Sequence, residues 1–132
     1  MNENDINGNK IMEETAILLR ELAESGVRHT PEDIVRIARR ATDGKIIFIE
    51  KGSRRAGLQH ILERHAEDFA RQGFSSGEIP DIVIKAVAEG IIVGCQGTRL
   101  IYEIETEGNR YRIAVTVGSN GYIVGANPVS FP

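Results

Sequence analysis

The chain has 132 residues, 41% of them hydrophobic and 27% charged, which suits one globular domain built around a single core. A net charge of −3 argues against a uniformly basic nucleic-acid binder, but not against a local basic cleft, because contacts are set by charge within roughly 8 Å at physiological salt. With 5% aromatic residues and no Trp, a nucleic-acid site here is expected to lean on charge and hydrogen bonds more than on stacking.

Residues 1–8 are polar and are expected to form a disordered tail, leaving residues 9–132 as one domain. Ile11, Thr15, Leu18 and Leu22 make the stripe of a first helix over residues 9–25, which Gly26 stops. Thr30-Pro31-Glu32-Asp33 reads as the start of a second helix, with Ile34, Ile37, Ala38 and Ala41 facing inward and an end near Asp43-Gly44. His29 precedes that cap and reads as a loop residue. Lys45–Glu50 is a short apolar strand. Lys51-Gly52-Ser53-Arg54-Arg55-Ala56-Gly57 follows as a basic loop. A central amphipathic helix then runs to about residue 72, and another carries Ile79, Ile82, Val83, Ala86 and Val87 on one face with Pro80 in its first turn.

From Ile91 the apolar period changes from helical to two, predicting strands over 91–96, 98–107, 110–118 and 122–126. Gly108-Asn109 and Asn120-Gly121 fit tight hairpin turns. With Gly108-Asn109 as a two-residue loop, Leu100, Tyr102, Ile104 and Thr106 share a buried face with Tyr111, Ile113, Val115 and Val117. On the other face Glu105 then meets Arg112, and Glu107 meets Arg110. With Asn120-Gly121 as the next loop, Thr116 lies across from Gly125 and near Asn127, on the face that carries Arg112. The expected class is α+β: N-terminal helices packed on one face of an antiparallel sheet of about four strands. Cys95 sits in an apolar run and is expected to be a buried, inert thiol. There is no zinc-like Cys/His spacing, no apolar run of membrane-spanning length and no signal-peptide pattern.

Chemistry concentrates in Gly57-Leu58-Gln59-His60-Ile61-Leu62-Glu63-Arg64-His65, which holds two of the three histidines. At ~100° per residue, Leu58, Ile61, Leu62, His65 and Phe69 fall on the core side, while His60 falls with Arg64, Glu67 and Arg71, ~140° from His65. The two rings meet only if the helix starts late or is distorted. His65 thus reads either as a core histidine bonded to backbone or a tyrosine, or as an acid/base group tuned by partial burial. His60 reads either as a solvated residue or as a general base beside the basic loop. Lys51, Arg54 and Arg55, with Gly52, Gly57 and a helix N-terminus, make a candidate phosphate corner. A hairpin accounts for Asn120-Gly121 but not so readily for Thr116, Asn127 and Ser130.

The His-containing segment with Asp68-Phe69, and the ending Asn120-Gly121-Tyr122-Ile123-Val124-Gly125-Ala126-Asn127-Pro128, resemble the phage- and toxin-associated branch of the barnase–EndoU–colicin–RelE nuclease superfamily. With the strand around Tyr102 and Lys45–Glu50, the resemblance spans roughly residues 30–131. It implies metal-independent RNA cleavage without a cofactor. A base takes the 2′-OH proton, the 2′-oxygen attacks phosphorus, an acid protonates the leaving 5′-oxygen, and cations stabilise the phosphoryl charge. The resemblance makes His60 and His65 the acid/base candidates and Thr116 and Arg112 the phosphate holders. Lys51, Arg54 and Arg55 become backbone contacts, and Tyr102, Asn127 and Ser130 further contacts to substrate. It also implies a bacterial or phage origin, action in the cytoplasm (after export, for a secreted toxin), RNA such as tRNA as target, an immunity protein as partner, and no membrane association. A catalytically silent binding module on the same scaffold, and an enzyme acting on a nucleotide, stay open beside it.

Overall fold

The computed structural model describes residues 3–131, with side chains from Lys10 onward. In chain order it forms α1 (Glu3–Glu24), β1 (Ile34–Arg39), β2 (Ile46–Glu50), α2 (Leu58–Arg71), α3 (Ile79–Glu89), β3 (Ile91–Gln96), β4 (Arg99–Thr106), β5 (Asn109–Val117) and β6 (Ile123–Val129). The class is α+β, with helices packed against an antiparallel β1-β2 ribbon and an antiparallel four-stranded sheet in the order β3-β4-β5-β6. No helix among the described residues is long and apolar enough to cross a membrane.

Two N-terminal expectations are corrected. Residues 3–8 of the supposed tail belong to α1, and residues 1 and 2 lie outside the described residues. The expected second helix does not form. Pro31–Asp33 makes one 3₁₀ turn, and the chain then extends into β1, antiparallel to β2. The i, i+3, i+4 spacing of Ile34, Ile37 and Ala38 imitated a helix, but β-branched Ile34, Val35 and Ile37 suit a strand, and pairing with the apolar β2 overrides local periodicity. Thr30 makes no side-chain cap; its backbone N–H donates to the buried Glu50 Oε2 at 3.1 Å.

The core lies between the helices and the inner sheet face. Ile79, Ile82, Val83, Ala86 and Val87 of α3 pack with Ile61 and Phe69 of α2, Ile47 and Ile49 of β2, and Tyr102, Ile104, Ile113 and Val115 of the sheet. The predicted inner face is therefore the observed one, but the β4–β5 register differs. The loop is Glu107-Gly108, so Glu103 pairs with Arg112 and Glu105 with Arg110. Both loop residues take positive φ, 52° and 80°, as a primed two-residue hairpin turn requires. Each pairing moves by two residues, which leaves every side chain on its face; hydrophobic alternation cannot tell the two registers apart. The next turn is corrected too. Gly121 N–H donates to the Gly118 carbonyl, placing Ser119-Asn120 at the centre, while Thr116 still pairs with Gly125. Phe48 bridges to Tyr122, joining β2 to the start of β6. Cys95 is exposed on β3, because all six residues of that edge strand are exposed.

Candidate functional site

α2 runs beside β6, one of the two edge strands of the four-stranded sheet, and its start is pinned there. Gly57 N–H donates to Val124 O and Gln59 N–H to Lys51 O, both at 2.9 Å. Gly57 has φ 85°, and a Cβ there would lie 2.7 Å from the Tyr122 hydroxyl and 3.0 Å from the Glu50 carbonyl, so only glycine fits this crossing. The same bonds occupy two of the amides that the expected phosphate corner would have used. The basic loop keeps Lys51, Arg54 and Arg55 exposed, with Arg54 Nε 3.9 Å from Glu63 Oε1.

The helix is regular from Leu58, so the wheel conflict between the histidines is real. Ile61 and Phe69 are buried on one flank, and the other flank looks onto the outer sheet face. His60 Nδ1 bonds to Arg54 O at 2.8 Å. The carbonyl can only accept, so Nδ1 is the donor, and in the neutral ring Nε2 is the nitrogen with the free lone pair. The ring carbon Cδ2 faces the sheet: it lies 3.5 Å from where a Cβ on Gly125 would sit.

Arg99 Nη2 lies 2.6 Å from that same point, so guanidinium and imidazole approach one spot on the outer face. Arg99 Nη1 donates to Asn127 Oδ1 at 2.9 Å, and Asn127 Nδ2 donates to Gln96 Oε1 at 2.8 Å. Among the described residues Arg99 forms no ion pair, and burial lowers its pKa by penalising the charged form. Continuing the β4–β5 register puts Thr116 between Arg99 and Gly125. The missing side chain at Gly125 is thus the space in which an uncompensated cation and an oriented imidazole meet.

The structure brings His60, Thr116 and Asn127 together, with the basic loop alongside, and leaves other expected members out. His65 is not sealed in the core; its Nδ1 bonds to Asp68 Oδ2 at 2.9 Å, and that bond, together with Arg71, lowers the Asp68 pKa. Five residues further along a regular helix, it lies ~7.5 Å down the axis from His60 and on another side. Arg112 is engaged with Glu103 Oε1 at 3.1 Å. Tyr102 is 3% exposed on the inner face, so it cannot share a surface with His60. Ser130 lies exposed beyond the end of β6. His29, part-buried, bonds to Val27 O at 2.7 Å through Nδ1.

Sequence reasoning missed Arg99 and Gln96. One signal pointed to Arg99. Three arginines alternate onto the outer face of the hairpin, and Arg110 and Arg112 have glutamates across from them whereas Arg99 has none. A scan against protein-family models and a search of curated proteins each return no match to the chain.

Proposed function

We propose that the chain is an endoribonuclease that cleaves RNA through attack of the 2′-OH, as the resemblance to the toxin branch of the barnase–EndoU–colicin–RelE superfamily implies. What carries the reading is the approach of His60 Cδ2 and the Arg99 guanidinium to the same point over Gly125. In this reading a phosphodiester lies on the outer sheet face in front of Gly125. His60 Nε2 takes the 2′-OH proton, and the Arg54 carbonyl holds the imidazolium that forms. Arg99, paired with no carboxylate among the described residues, binds the phosphoryl oxygens as their charge grows. The leaving 5′-oxygen takes its proton from that imidazolium or from water. Lys51, Arg54 and Arg55 draw in the neighbouring phosphates. Bacterial or phage origin, cytoplasmic action, tRNA as target and an immunity protein as partner belong to the same proposal.

A binding module without catalysis is the competing reading, favoured by the absence of a second histidine beside His60. A labelled single-stranded RNA incubated with the parent chain, His60→Gln and Arg99→Ala, each with and without chelator, separates the two. Cleavage that survives chelator and falls at least about 100-fold in both variants is expected, the usual scale for losing a positioned acid/base or oxyanion group. RNA bound but left intact by the parent would establish the module instead.

A further inference from the structure

The outer face of the sheet continues beyond the His60–Arg99 row. Along β6 the residues facing that side are Gly125, Asn127 and Val129, and the chain then reaches Phe131, which is 43% exposed. Arg112 Cζ lies 4.6 Å from the centroid of the Phe131 ring and Arg110 Cζ 5.9 Å from it. These are distances at which a guanidinium is held by the ring's electron-rich face. Val129 pairs with Arg112, so the ring lies on the same side of the sheet as Arg99 and His60. Phe131 comes six residues after Gly125, the last two beyond the end of β6, a span of at most ~20 Å along the strand direction and so the reach of a few nucleotides of single strand. The strip between holds Arg99, Arg110 and Arg112 against Glu103 and Glu105; Glu103 is bound to Arg112, and the row nearest Gly125 carries no acid.

An aromatic ring left open to solvent and flanked by two cations is a stacking surface for a planar base whose phosphates need counter-charge. We infer that Phe131, with Arg110 and Arg112, is a subsite for a nucleobase of single-stranded RNA, several nucleotides from the bond cut at His60. Arg112, expected at the reacting phosphate, steadies the ring instead. The inference rests on the reading of the outer face as an RNA surface, and it assigns stacking to a chain whose composition promised little.

Binding is measured in a His60→Ala background, so that the probe survives, with fluorescein-labelled single-stranded RNA octamer and dinucleotide. Phe131→Ala and Phe131→Leu are expected to weaken octamer binding about 5- to 150-fold, the range found on removing one base–aromatic stack. Phe131→Trp is expected to bind as the parent does, and the dinucleotide, too short to reach, to be indifferent to all three. Phe131 is exposed at the end of the described chain, so these variants keep the fold. A Phe131→Ala protein that holds the octamer as tightly as the parent, a Leu variant equal to the Trp variant, or no octamer binding at all overturns the subsite. Phe131-dependent binding by a chain that cuts no RNA supports the subsite and sinks the nuclease reading. His60-dependent cleavage with Phe131-independent binding does the reverse. A DNA octamer bound equally, and equally dependent on Phe131, supports base stacking and overturns the restriction to RNA.

Discussion

Replacing Gly125 with Ala probes the site without touching a side chain that is proposed to react. The added methyl would stand 2.6 Å from Arg99 Nη2 and 3.2 Å from Arg99 Cζ, but 3.5 Å from His60 Cδ2. Carbon contacts become comfortable at about 3.5 Å, so the guanidinium must retreat by about 1 Å while the imidazole stays. The retreat loosens the 2.9 Å bond from Arg99 to Asn127. A net loss of about 1 kcal/mol is a fair figure for a half-exposed hydrogen bond whose groups regain water. Against it, alanine in place of glycine inside a strand recovers about 0.5–1 kcal/mol of chain entropy. Stability should therefore move by less than about 1 kcal/mol, a few degrees in melting temperature for a chain of this size. Catalysis should suffer far more, because displacing a group by about 1 Å at a reacting centre costs on the order of 100-fold in rate. Thermal unfolding by circular dichroism and kcat/KM on a fluorogenic RNA read the two effects separately. Arg99→Ala should lose as much, and the double variant should be no worse than Arg99→Ala alone, since both changes act through one guanidinium. Parent-like turnover by Gly125→Ala, or a double variant much worse than Arg99→Ala, would refute the claim that Gly125 makes room for Arg99.

His65→Ala should leave RNA turnover within about threefold of the parent, because His65 bonds to Asp68 away from His60; the fluorogenic assay checks it, and a loss comparable to that of His60→Gln would put His65 back in the site. Glu107→Gly should raise stability by about 1 kcal/mol, read as a melting temperature higher by a few degrees, because Glu107 holds φ 52° in its turn and a side chain is penalised there. Asp43 accepts two bonds from Arg40, at 2.8 and 3.0 Å, and its pKa is lowered from 3.8 to about 2, chiefly by those bonds. A depressed carboxylate stabilises the fold above its unfolded pKa and stops doing so as pH falls through its folded one. Asp43→Asn should thus melt lower than the parent at pH 7, with the gap closing between about pH 4 and pH 2, as followed by melts across that range. Val93→Lys on the exposed, uncharged edge strand β3 should reduce aggregation measured by light scattering while shifting stability by less than about 0.5 kcal/mol.

What the residues disclosed and what they hid divides along the range of the interactions. α3 was legible because Ile82, Val83, Ala86 and Val87 repeat at helical spacing and are all buried, so local pattern and tertiary packing agree. Residues 34–39 were not, because Ile34, Ile37 and Ala38 satisfy both a helical and an extended reading, and the choice was made by β2, a partner that local periodicity does not contain. The candidate site repeats the lesson. His60 was visible as a titratable group beside a basic loop, and its ~140° separation from His65 follows from the sequence alone. That conflict is resolved not by distorting the helix but by where the helix lies. Set along the β6 edge, α2 turns Ile61 and Phe69 into the core and His60 over the outer sheet face, so the two flanks of one helix serve two surfaces. The partner that completes the arrangement, Arg99, comes from the start of β4, beyond all of α3 and β3, and only the β4–β5–β6 registers bring it to Gly125. The glycine itself carries no chemical signal, since what it contributes is the absence of a side chain between two groups that must reach the same point. In the proposed reading the counterpart of the imidazole is therefore not a second histidine on the same helix. It comes from the strand side, as an arginine with no acid across from it in the β4–β5 register.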